Sequence, residues 1–190
     1  MSNAVSALQG VSETGFAHIK EMGLAGMVTL KADLGAAATK KAVKAAVGAD
    51  IPEPRGMSSG KKEDGVAWMA PDELLLFCDH AKADEVVATL TKEMGSAHHL
   101  AVNVSDARAV FTIEARDVRE VLGKLTPADL GNLPIREMRR SRLAQVPAAF
   151  WMNSHNHAAV ICFRSVAQYV YDLLCTAAKE GGEVGYHAKG

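Results

Sequence analysis

Apolar segments follow one another along this chain in the order strand, helix, strand, strand, helix, strand, and that order then begins again, which restricts the fold more than any single motif does. "LAGMVTLKADL" (24–34) is rich in β-compatible residues and ends at Asp33. "GAAATKKAVKAAVG" (35–48) sets Ala38, Ala42, Val43, Ala46 and Val47 on one stripe with lysines opposite and closes on glycine, the pattern of an amphipathic helix. "DIPEPRGMSSGKKEDG" (50–65) mixes Pro, Gly, Ser and charge without periodicity and predicts an exposed loop. "VAWMA" and "ELLLFC", split by "PD", predict a strand, turn and strand. "HAKADEVVATLTKEMG" predicts a helix with Val86, Val87, Leu90 and Met94 inward, and "HLAVNVS" a closing strand.

The second half repeats the plan. "ARAVFTIEA" (107–115) reads as a strand, "RDVREVLGKL" (116–125) as a helix, and "REMRRSRLA", "VPAAFWM" and "AAVICFRS" as strands. "VAQYVYDLLCTAAKE" (166–180) reads as a long helix, and "EVGYHA" is an open candidate for a last strand. The chain is therefore α+β, with two ferredoxin-like (βαββαβ) halves. The boundaries that follow are a flexible N-terminal tail over 1–19, a first half over 20–104, and a second αβ half over 105–190 packed on the first.

Composition narrows the class of protein. With 48% hydrophobic and 23% charged residues, the 190-residue chain has the balance of a globular protein, and a net charge of −1 predicts no broad attraction to nucleic acid or an anionic membrane. Every apolar run is broken by charge before it could span a bilayer, and the start, "MSNAVSALQGVSETG", carries neither part of a secretory signal, so a cytoplasmic location is expected. Cys78, Cys162 and Cys175 each sit in an apolar run and are odd in number, which predicts buried free thiols.

The candidate sites are few. In "WMNSHNHAAVICF" (151–163), His155 and His157 would share a strand face and offer two ligands to zinc, but "NSHN" is also a polar hairpin turn and no third ligand lies near in sequence. "GMSSGKK" (56–62) is short by one residue for a phosphate-binding loop and has Lys62 where a hydroxyl is required. In "REMRRSR" (136–142), strand alternation puts Arg136, Arg140 and Arg142 on one face with Met138, suited either to pairing with partner carboxylates or to guarding an edge strand. No nucleophile motif and no Asp/Glu pair points to a complete active site.

"VAWMAPDELLLF" (66–77), "VNVSDARAVFTIEARDVREVLGKLTPADL" (102–130), "RRSRLAQVPAAFW" (139–151) and "FRSVAQYVYDLLCTAA" (163–178) together resemble the gamma subunit of heterotetrameric sarcosine oxidase and, more distantly, the folate-binding domain of aminomethyltransferases. The resemblance covers about 20–180. It implies a non-catalytic structural subunit of a flavoenzyme that demethylates sarcosine to glycine, yielding hydrogen peroxide and, with tetrahydrofolate, methylenetetrahydrofolate. It implies further that FAD, FMN, NAD, zinc and tetrahydrofolate belong to partner subunits and none to this chain, and that the alpha subunit is the direct partner, with beta and delta subunits in the same complex. The acidic motif of the transferases is missing, since Glu63 and Asp64 stand in an unlike loop, which argues against folate chemistry of the chain's own. The rival implied by the distant resemblance is an independent folate-binding one-carbon-transfer module. For a docking subunit, Trp68, Arg140, Arg142 and Trp151 are the candidate interface residues, core packing being the alternative for both tryptophans.

Overall fold

The computed structural model describes residues 4–60 and 64–186. In chain order the elements are β1 (Ser12–Thr14), β2 (His18–Glu21), β3 (Gly26–Ala32), α1 (Ala37–Val47), β4 (Met57–Ser59), β5 (Gly65–Ala70), β6 (Glu73–Cys78) and α2 (Ala83–Met94). They continue as β7 (His99–Asn103), β8 (Arg108–Glu114), α3 (Arg119–Leu122), β9 (Arg139–Leu143), β10 (Val146–Ser154), β11 (His157–Phe163) and α4 (Ala167–Ala177). They divide into two compact units, one of Leu24–Asp106 and one of Met1–Gly23 with Ala107–Gly190.

The contiguous unit holds an antiparallel sheet in the order β4-β5-β6-β3-β7. Without β4 this is the strand order of a βαββαβ unit. Its core joins Val28, Leu30, Val66, Leu74 and Leu76 of the strands to Ala42, Val43 and Val47 of α1 and to Ala83, Val86, Leu90 and Met94 of α2. Of the helical stripes read from the sequence, Ala42, Val43, Val47, Val86, Leu90 and Met94 are buried and Ala38, Ala46 and Val87 half-buried, with Thr39 added because its hydroxyl donates to the Asp33 carbonyl at 2.7 Å. The first helix stops at Gly48, whose φ of 70° lets its N–H return to the Lys44 carbonyl. Lys41 of α1 and Glu93 of α2 pair at 2.9 Å across the exposed side.

The second unit repeats the order as β1-β2-β8-β11-β10-β9. Here β8 corresponds to β3, β11 to β6, β10 to β5 and β9 to β4. The place of β7 is taken by β2, from the other end of the chain. Phe111, Ile113, Phe150, Met152, Val160 and Cys162 of the sheet pack with Val121, Leu122, Val170 and Leu174 of the helices. Full burial of a side chain such as Phe111 or Phe150 contributes about 1.5–3 kcal/mol.

Three sequence expectations change. Residues read as a loose tail over 1–19 supply β1 and the first half of β2, so the boundary near 105 separates the units only together with a second one at Gly23. The stretch read as a loop over 50–65 contains the edge strand β4, while Lys61, Lys62 and Glu63 lie outside the described residues. The helix expected over 116–125 is α-helical only at Arg119–Leu122 and continues as turns, because Asp117 Oδ1 accepts the Arg119 N–H at 2.9 Å and fixes a late start while Pro127 follows closely. Of the candidate last strand "EVGYHA", residues 183–186 form no strand and His187 and Ala188 lie outside the described residues.

Candidate functional site

The histidine pair sits at a hairpin tip. Ser154 pairs with His157 across β10 and β11, leaving His155 and Asn156 as a two-residue turn. The Arg119 guanidinium donates to His155 Nδ1 at 3.0 Å, so that nitrogen is an acceptor and its proton is on Nε2. His157 Nδ1 meets Asn153 Nδ2 at 2.9 Å, and Asn153 Oδ1 accepts from Trp151 Nε1 at 3.0 Å. The two rings thus face different partners, one of them a cation, and they do not converge on a shared point. Among the described residues no group of three or more His, Cys, Asp or Glu could hold a metal ion.

The docking candidates separate by burial. Trp151, in β10, is 8% exposed, and Trp68, in β5, is half-buried against the core of the contiguous unit. Arg140 and Arg142 are exposed on the edge strand β9, opposite Ala149 and Pro147 of β10, so they share a sheet face with Trp151. Arg136 does not extend this row as alternation predicts. Its φ of 62° places it in a turn ahead of β9, with its N–H on the Met152 carbonyl at 2.8 Å.

A cleft of about 790 Å³ is lined by Arg119, Gly123, the 128–132 loop and Tyr186. Several of its polar groups bind the chain's own backbone. Arg119 Nε donates to the Leu130 carbonyl at 3.0 Å, and Asp129 Oδ1 accepts the Gly131 and Asn132 N–H groups at 3.1 and 3.4 Å. The Asn132 side chain, then its N–H, hold the Asp129 carboxyl below its ordinary pKa. Beside the cleft, Glu120 Oε2 accepts the Val184 and Gly185 N–H groups, and Lys124 donates to the Ala177 and Gly182 carbonyls. The cysteines are free, and none is activated: burial pushes the Cys78 thiol up to about 11 and Cys162 up to about 12, and raises Cys175 too.

Residues that organise the chain ends escape a reading by motif. Glu21, 1% exposed, accepts from Ser6 Oγ at 2.9 Å and from the Leu8 and Gly10 N–H groups at 3.2 and 2.6 Å. Arg164 donates to the Val5 and Ser6 carbonyls. Together they tie residues 5–10 to their unit. The "RS" ahead of the last helix was the one signal available for Arg164.

Among solved structures the fold is similar to that of a chain of the heterotetrameric sarcosine oxidase from Corynebacterium sp. U-96, with a TM-score of 0.77 and 22% identity over 85% of this chain and 83% of that one. It is similar also to the glycine cleavage system aminomethyltransferase T from Bartonella henselae, with a TM-score of 0.64 and 11% identity over 85% of this chain and 46% of that longer one. The class is therefore an α+β protein with two antiparallel sheets, whose fold resembles that of a sarcosine oxidase chain and of aminomethyltransferase T. The model of the sarcosine oxidase, gamma subunit family matches residues 31–180, and the chain belongs to that family. A search of curated proteins finds no match.

Proposed function

We propose that this chain is a structural, non-catalytic gamma subunit that docks directly on the alpha subunit of a heterotetramer also containing beta and delta subunits. The complex oxidatively demethylates sarcosine to glycine and forms hydrogen peroxide and, with tetrahydrofolate, methylenetetrahydrofolate. FAD, FMN, NAD, zinc and tetrahydrofolate are carried by the partner chains, and the complex is cytoplasmic. Family membership over 31–180 is the observation that carries this reading. It is supported by the use of Arg119, Glu120, Lys124 and Asp129 to hold the chain's own loops rather than to converge on a substrate. Trp68, Arg140, Arg142 and Trp151 are the docking residues of this reading, supported most by Arg140 and Arg142, exposed cations on an edge strand, and least by Trp151, which is buried within its own unit. Among the described residues no helix is long and apolar enough to cross a membrane.

The test is co-expression with candidate alpha, beta and delta subunits followed by size exclusion, with calorimetry of the isolated chain against tetrahydrofolate. Co-elution with the flavin-coloured complex and no heat of folate binding are expected. Elution alone together with folate binding replaces this reading with the independent one-carbon-transfer module, which the likeness to aminomethyltransferase T would then explain.

A further inference from the structure

The two sheets share a strand order but end differently. Outside β2, the sheet of the second unit gains β1, an antiparallel strand paired as Ser12↔Lys20, Glu13↔Ile19 and Thr14↔His18, and its three residues are polar and exposed. The corresponding edge of the contiguous unit is β7, and among the described residues no strand lies beyond it. β7 reads His-Leu-Ala-Val-Asn and itself contains no lysine, proline or acidic residue; Asn103 Nδ2 donates to Asp84 Oδ1 at 2.8 Å at one end, and Leu100 and Val102, on one face, are 54% and 40% exposed.

The hydrogen-bond phase of that edge is fixed. Val104 donates to the Met27 carbonyl at 2.8 Å, one step beyond the Asn103↔Val28 pair, and Ala32 donates to the Asp72 carbonyl on the other side of β3 at 3.0 Å. Even-numbered residues of β3 therefore bond β6 and odd-numbered ones bond β7. Leu100 and Val102 spend their backbone groups on Lys31 and Thr29, so His99, Ala101 and Asn103 turn their N–H and C=O groups outward.

We propose that β7 receives a short antiparallel strand from a partner subunit of the complex, extending the contiguous unit's sheet as β1 extends the other. The inference rests on the subunit reading above and deepens it. The incoming strand bonds the outward backbone of His99, Ala101 and Asn103 and carries apolar side chains at alternate positions to cover Leu100 and Val102. A partner subunit is favoured over a second copy because the family is that of the gamma subunit of an oxidase, which implies other subunits in a complex, and because a strand already covers the corresponding edge of the other sheet.

The test uses the full chain and the co-expressed complex. Leu100→Lys with Val102→Lys replaces two exposed side chains, and Ala101→Pro removes an outward N–H without breaking a bond to β3. Each should leave the isolated chain folded, with a melting temperature lowered by no more than a few degrees because Ala101 packs against the core and Lys31 stands opposite position 100, and should weaken assembly by about tenfold or more. Amide exchange at Ala101 should be fast in the isolated chain and slow in the complex, whereas Leu100 and Val102 are protected in both. Variants that assemble at wild-type affinity, or an Ala101 amide equally fast in the complex, overturn this inference alone. An isolated wild-type chain that dimerises, with the dimer lost in the lysine variant and the complex intact, assigns the edge to a second copy and overturns it too. Failure of the wild-type chain to co-assemble overturns the subunit reading, and the inference with it.

Discussion

Glu21 shows how one side chain can hold a chain end that looks dispensable. Its carboxylate is buried and receives a hydroxyl and two backbone N–H groups from residues 6–10. Glu21→Ala strands those donors, so a loss of about 2–4 kcal/mol is expected in denaturant unfolding. A loss within about 0.5 kcal/mol would contradict the role assigned to it. Cys162 gives a prediction in pH. Its thiol, buried in the sheet core, has its pKa raised from 9.0 to about 12 by burial. A raised folded-state pKa means that the stabilisation is complete below 9.0 and is lost as pH rises toward about 12. Urea midpoints measured near pH 8 and near pH 10.5 should therefore fall more for the wild type than for Cys162→Ala, by up to about 1.4 kcal/mol per pH unit. Equal slopes would mean that the thiol is solvated.

At the scale of elements, what the sequence revealed depended on local pattern. The α1 and α2 stripes, the Pro71–Asp72 turn and the β10–β11 turn were legible because period and turn chemistry agree over short spans. β2 was not, because its inward residues are Ile19 and Glu21, and an inward carboxylate reads as a surface position. Arg136 was read into the strand because alternation cannot show the positive φ that places it in a turn. The docking candidates fared likewise: exposure of Arg140 and Arg142 follows from charge, whereas the burial of Trp151 depends on residues distant in sequence. The placement of β2 has a direct consequence for fragments. A fragment of residues 24–106 holds a complete βαββαβ set and should give a dispersed NMR spectrum by itself, whereas 107–190 lacks Ala17, Ile19 and Glu21 and should not. A folded 107–190 fragment would show that β2 is dispensable to the sheet.

For the whole molecule, the family places the chain as one subunit of an oxidase, and Arg119, Glu120, Lys124 and Asp129 hold its own loops. Such a subunit should change how much complex forms and not how fast each assembled flavin centre turns over. On the proposed reading its interface uses β9, which offers cations, and β7, which offers an open edge. The measurement that tests this most directly is sarcosine-dependent peroxide formation per mole of bound flavin, for complexes purified after co-expression with and without this chain. The account predicts a much lower yield of complex without the chain and an unchanged rate per flavin in whatever does assemble. An unchanged yield, or a chain that never enters the complex, would contradict it.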